Sequence, residues 1–328
     1  MATTDTIDVE LLGYEGQRTF HDTDAAYVLP NDNVEHRRLE LQHVLLRGLM
    51  ENRLFHAPLQ KEKIQKTLDI GCGTGAVTNE MGLTFPTAKV YGIDLSPVPQ
   101  VRPKLPNIEY VQGNVMEIKH DSFATGSFDF IYSRLLVLGM SNWQGYVERC
   151  VSLLKPGGWI EMHDLSNQPH HVPSPVSSFE HLRPHDITME QIRTTSHPTD
   201  AYQHASPWLW DTTFHKLLAV KHVDLYCGPN IPFLFANAGL VDMTIRRYMM
   251  PYSRWDGLTR EETAISDYLE TFVRDLVPMS IRKAGENAGP EYAAEAERAV
   301  EDAKRYHAAY DGGRNFLWMY VVCGRKPE

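Results

Sequence analysis

The segment Leu68-Asp69-Ile70-Gly71-Cys72-Gly73-Thr74-Gly75 concentrates the chemistry of this chain. An apolar run enters glycines at alternate positions, and a residue without Cβ lets the backbone approach a ligand closely. A helix expected from Ala76 directs the positive end of its dipole at the same spot, which favours an anion. Asp69, just before the turn, carries the opposite charge and can pair with an ammonium. Amide donors for an anion beside a carboxylate for a cation suit the zwitterionic end of an amino acid. A pyrophosphate would be repelled by Asp69.

One crossover further, Val90-Tyr91-Gly92-Ile93 ends in Asp94. An acid at the end of a second parallel strand can accept hydrogen bonds from both ribose hydroxyls. Leu95 beside it can pack on an adenine. Asn114, in Gln112-Gly113-Asn114-Val115, can bond the adenine amino group, and Val115 completes that end of the site. The fragment Gly71-x-Gly73-x-x-Ala76 also satisfies a dinucleotide fingerprint, which alone is weak evidence. Asp69 and the absence of a Tyr-x-x-x-Lys pair speak against that reading. Phe128-Asp129-Phe130-Ile131, followed by Leu154-Lys155-Pro156-Gly157-Gly158, completes the order of a methyltransferase that binds S-adenosylmethionine.

The elements that must position these residues are short apolar runs separated by Gly, Pro and Asp. Strands are expected at Thr67–Ile70, Val90–Ile93, Ile108–Gln112, Phe128–Ser133 and Trp159–His163, with helices at Ala76–Leu83 and Trp143–Leu154. That alternation predicts parallel strands with helical crossovers. Upstream, Asp32 and Glu35 have capping-box spacing before a long amphipathic helix carrying Leu39, Leu46, Met50 and Leu54 and ending near His56-Ala57-Pro58. Residues 165–235 break the rhythm with many prolines and histidines and read as short helices of a cap. Val241–Met249 and Phe316–Gly324 read as strands, Glu261–Leu276 and Tyr292–Tyr310 as helices. The expected division is an N-terminal arm and helical lid (1–58), a cofactor-binding core (59–164), an inserted substrate cap (165–235) and the remainder of the core sheet with helices (236–328).

Composition narrows the function further. The chain has 328 residues, 32 basic against 42 acidic, and a formal charge of −10, which argues against a general nucleic-acid binder. Cys72, Cys150, Cys227 and Cys323 are dispersed and read as free thiols of a reducing compartment. The polar Met1–Val9 stretch is no signal peptide, and no apolar run approaches a membrane span. A cytoplasmic protein is expected, with no membrane partner.

The segment Leu68–Glu161 resembles a class I methyltransferase core. Tyr27-Val28-Leu29-Pro30-Asn31-Asp32, then Glu35, Arg38-Leu39 and Gln42-His43, is similar to the N-terminal signature of fungal small-molecule methyltransferases, relatives of the velvet-associated regulator of secondary metabolism. Leu154–Glu161, Ala238-Gly239-Leu240 and Pro251-Tyr252-x-x-Trp255 are similar to the same group, so the resemblance spans about residues 14–255. It implies a Rossmann-like α/β fold with a seven-stranded, mostly parallel sheet whose last strand, Phe316–Gly324, is antiparallel. It also implies N-terminal helices that close over the cofactor, with Tyr27 near it. Asn114 departs from the Asp common in the wider class, though its carbonyl retains an acceptor.

Methyl transfer is an in-line displacement, so the enzyme must place a nucleophile and, where needed, take its proton. Ligands of open parallel sheets sit at the carboxyl ends of the strands. Ser133 and Arg134 follow the fourth strand and are expected at the cofactor; His163, after the fifth, is the preferred general base because imidazole titrates near neutrality. Trp208, Trp210, Phe214, Phe233 and Phe235 are candidates for an aromatic acceptor pocket or the cap's own core. The histidines of the cap show no tight ligand spacing, and no metal is expected. The expected function is methyl transfer to a small natural product, at oxygen or else at nitrogen or carbon. The alternatives are a regulator on the same fold, or an enzyme that keeps the cofactor for a non-methylating rearrangement or cyclisation.

Overall fold

A computed structural model of the chain describes residues 18–20, 26–172, 182, 184–195, 203–204, 208–309 and 313–328. The first long element is α1 (Asn33–Leu49). Asp32 caps it by accepting from the Val34 and Glu35 amides. The reciprocal half of the expected capping box is missing, because the Glu35 carboxylate instead takes a bidentate pair with Arg38. The helix stops earlier than its apolar periodicity suggests: Glu51 and Asn52 adopt left-handed φ of 55° and 59°, which no helix accommodates.

The core then alternates as expected: β1 (Lys66–Ile70), α2 (Ala76–Thr84), β2 (Lys89–Asp94), β3 (Ile108–Gln112), β4 (Phe128–Arg134), α3 (Trp143–Leu153) and β5 (Leu154–His171). Two-residue strands β6 (His185–Asp186) and β7 (Gln203–His204) flank helix α4 (Met189–Thr195). Next come α5 (Leu209–Ala219), α6 (Cys227–Asn237), β8 (Val241–Pro251), α7 (Arg260–Asp275), α8 (Val277–Ala288), α9 (Ala293–Ala309) and β9 (Asn315–Arg325).

The sheet runs β3-β2-β1-β4-β5-β9-β8-β6, with β7 paired to β5. Strands β1 to β5 are mutually parallel, and β9 is antiparallel to both β5 and β8. It therefore has nine strands rather than seven; the two additions are the two-residue β6 and β7. Strand β9 is buried along almost its whole length, since it is flanked on both edges and covered on both faces. That explains its nearly unbroken apolar sequence.

Two expectations about the elements need correction. Strand β5 runs to His171, well past the expected end at His163 and across the boundary set at 164. The stretch 165–235 is consequently no self-contained cap: α6 packs on β5 and β9, while α5 packs on α8 and α9. Helix α8 was not expected from the sequence, and Pro278 stands near its start. The proline lies in the first turn, where the missing N–H is harmless. No helix among the described residues is long and apolar enough to cross a membrane.

The order of strands places β1 between β2 and β4, so the connections after β1 and β4 leave in opposite directions. A crevice opens at such a switch point, at the carboxyl ends of the strands.

Candidate functional site

A cavity of about 920 Å³ fills that crevice. Its floor is the turn from β1 to α2, which needs its glycines. Gly71, Gly73 and Gly75 all have left-handed φ, at 67°, 54° and 75°. A Cβ on Gly71 would run into Leu136 Cδ2, and one on Gly75 into the Tyr110 hydroxyl. The Gly71 and Cys72 amides donate to the Ile93 carbonyl at 2.8 and 3.1 Å, tying the turn to the end of β2. Arg102 donates to the Thr74 carbonyl at 2.7 Å and to Glu40, and Glu40 accepts from the Thr74 hydroxyl.

Asp94 serves the same turn. Its Oδ2 accepts from the Gly73 amide at 2.8 Å and its Oδ1 from the Ser96 amide at 3.0 Å. Each carboxylate oxygen keeps a further lone pair, so acceptance from two ribose hydroxyls remains open. Asp69 is 2% exposed and lines the cavity, with Oδ2 accepting from the Thr78 hydroxyl at 2.6 Å. Burial pushes its carboxyl up to about 7, against the Thr78 hydrogen bond and the Arg134 charge. Asn114 Oδ1 accepts from the Met116 amide at 3.0 Å, which leaves its NH2 and one lone pair for a base.

The roof is α1 and the segment before it, and the cavity wall includes Tyr27, Asn31, Glu35, Arg38 and Gln42. Arg38 is 1% exposed and donates to both oxygens of Glu35 and to the Tyr268 hydroxyl on α7. Gln42 donates to the same hydroxyl at 2.9 Å. These buried groups pin α1 to α7 across the cavity. Burial raises the Tyr27 hydroxyl pKa, with Glu35 adding to the effect, so the phenol stays neutral. Arg134 donates to His43 Nδ1 at 3.2 Å, which joins the end of β4 to the same helix.

Of the residues expected at a cofactor, the cavity brings together Tyr27, Asp69, Gly71, Cys72, Gly73, Thr74, Asp94, Leu95, Asn114, Val115 and Arg134. Gly75 and Ser133 are not on its wall. Gly75 is the left-handed N-cap of α2, and Ser133 is buried inside β4.

Among the acceptor-pocket candidates, Trp210 and Phe214 of α5 line the far end. Trp208 does not; it stacks on Trp210 with ring centroids 5.7 Å apart and packs on Tyr306. Phe233 lies under the Arg193 guanidinium and Phe235 is fully buried in the core. Sequence reasoning missed the loop after β4, where Leu136, Val137 and Met140 face the cavity, and Tyr252, Phe272 and Val277 opposite it. The first group was accessible in principle, because that loop leaves the switch-point strand.

His163 needs the largest correction. It lies level with Arg134 in the β4–β5 register, but its ring does not line the cavity. It is 1% exposed, with Nε2 2.6 Å from Glu161 Oε1 and Nδ1 3.1 Å from the Tyr132 hydroxyl. Burial brings its pKa down to about 4 although Glu161 opposes the shift, so the ring is neutral and committed to these partners. The position of a residue along a strand is legible in sequence; the face it takes depends on register.

Residues 68–162 match the family model described as "Methyltransferase domain". That segment is similar to methyltransferase domains. Around it, the chain is 34% identical over 162 residues to the methyltransferase pytC of Aspergillus terreus, covering 48% of each chain. It is 35% identical over 139 residues to the methyltransferase str2 of Strobilurus tenacellus, covering 42% of this chain and 49% of that one. A secondary metabolism regulator, laeA of Coprinopsis cinerea, is 32% identical over 149 residues, 43% of this chain and 36% of that one. The chain spans about half the length of the curated relatives it matches first. Among solved structures, phosphoethanolamine N-methyltransferase 2 of Haemonchus contortus aligns over 89% of this chain and 52% of that one, at 15% identity and a TM-score of 0.39. The matched segment thus contributes the glycine turn, Asp94, Asn114 and β4, while the roof and the far wall lie outside it.

Proposed function

We propose that this chain binds S-adenosylmethionine in the glycine-turn half of the cavity and transfers its methyl group to an oxygen of a small natural product. One observation carries the reading: the turn and Asp94 share a single cavity with the aromatic and apolar wall of Trp210, Phe214, Tyr252 and Phe272. A donor site and an acceptor site within one enclosure are what an in-line transfer needs. The cofactor supplies an electrophilic methyl on sulfur.

The protein's own part is binding and alignment. The α2 N-terminus suits the carboxylate, Asp69 the ammonium, Asp94 the ribose, and Leu95 and Asn114 the adenine. The α1 roof excludes water from the methyl. With His163 turned away, the reading favours an acceptor oxygen that is already ionised near neutral pH, such as a carboxylate or an acidic enol, for which no base is required.

The test is transfer. The chain should be incubated with cofactor labelled in the methyl group and with an extract of producing cells, and products separated by mass spectrometry. Label in a small methyl ester or enol ether, lowered at least tenfold in Trp210→Ala at subsaturating acceptor, supports the proposal. Label confined to protein, or adenosyl-ligand binding without transfer, would move the chain to the regulator reading suggested by laeA.

A further inference from the structure

A second constellation of reactive side chains lies on one face of β4, β5 and β9, and of these Tyr132 also lines the cavity. Glu161 and His163 alternate along β5 and so share a face. Tyr132 on β4 and Cys323 on β9 are both in register with Glu161, which places them beside it on that face. His56 descends on this row from the segment between α1 and β1. The donor atoms of His56, Glu161 and His163 all lie within 4.8 Å of one another. Cys323 Sγ is 3.5 Å from Glu161 Oε2.

The geometry points to a structural zinc site formed by His56, Glu161 and His163. Each histidine turns one nitrogen inward and bonds a tyrosine with the other. His56 presents Nδ1 to Glu161 and meets the Tyr248 hydroxyl through Nε2 at 2.7 Å. His163 presents Nε2 and meets the Tyr132 hydroxyl through Nδ1 at 3.1 Å. Outer hydrogen bonds of this kind fix ring orientation around a metal. The donor set of two imidazoles and one carboxylate fits zinc, whereas Mg²⁺ and Ca²⁺ prefer oxygen.

Charge supports the same assignment. Glu161 is wholly buried, and its ion-pair partners among the described residues are His56 and His163, which carry charge only when protonated. A buried carboxylate calls for a compensating cation. The site is inside the protein, so the ion would be captured as the chain folds. Its structural effect is local: Glu161 also accepts from the His56 and Ala57 amides at 2.8 Å, so the ion fastens the segment that leads from the α1 roof into β1. In the chain these donors are scattered, His56 lying 105 positions before Glu161, and no ligand spacing betrays them.

The full chain, purified without a histidine tag and dialysed against metal-free buffer, should retain roughly one zinc ion as measured by plasma mass spectrometry. A strong chelator should lower its Tm by more than about 5 °C and added zinc restore it. His56→Ala should lose the zinc while keeping the wild-type circular dichroism spectrum. A metal-free chain whose Tm ignores both chelator and zinc would overturn the assignment, as would zinc that persists in both His56→Ala and Glu161→Gln.

Discussion

Asp69 joins protonation to ligand binding. In the free protein burial holds its carboxyl near 7, so below that pH it is mostly neutral. Pairing with an ammonium requires the proton to leave. Affinity for S-adenosylhomocysteine should therefore climb as pH rises toward about 7, by up to about tenfold per unit, and then level off. The folded-state pKa is raised above the unfolded one, so the associated stability is full at low pH and is lost as pH rises through about 7. Ligand-free stability should thus fall across the window in which affinity grows. Asp69→Asn should flatten both profiles, and calorimetry over that range checks it; an unchanged slope in the variant would remove Asp69 from both roles. At this scale the sequence is a good guide to where Asp69 and Asp94 lie, since an acid near a strand end reaches the cavity. It is a poor guide to His163, whose ring direction is settled by strand register and by Glu161 on the same face.

Helix α1 is held by polar groups where an apolar seam would be the simpler solution. Glu35 and Arg38 are each 1% exposed, and their pair reaches Tyr268 on α7. Removing one member of such a pair strands the other charge in the interior. Arg38→Ala should lower unfolding free energy by about 3–5 kcal/mol. Arg38→Lys should recover little of it, because an ammonium cannot replace the two-pronged contact with Glu35. Urea titrations of both variants check this. A loss below about 1 kcal/mol would mean that Leu41, Leu46 and Leu49 alone dock the helix. Periodicity finds α1, α7 and α9 because each has a polar face; it loses the ends, where left-handed Glu51 and Asn52 or an early Pro278 decide. The same limit hid the true extent of β5, whose polar run Ser166–His171 pairs with β9 by register and not by composition.

The molecule as a whole brings a donor site built largely within residues 68–162 against walls from outside that segment. Its parallel strands were legible from the alternation of strands and helices, and its antiparallel last strand from the resemblance. The association of α5 with α8 and α9 was not, since it joins segments with no shared pattern. If the cavity takes an adenosyl ligand, occupancy must stabilise the fold: S-adenosylhomocysteine at 100 times its Kd should add about 2.7 kcal/mol and NADH nothing. A thermal shift with NADH and none with the adenosyl ligand would reverse the cofactor assignment.

Strand β9 has one more consequence. It is the last described element in chain order, yet it fills the gap between β5 and β8. While a ribosome is still making the chain, those two strands emerge with open edges and nothing to join them. Such edges invite pairing with other nascent chains. Completion of the sheet is therefore a late event, and the protein should depend on chaperone shelter until Asn315–Arg325 has cleared the exit tunnel.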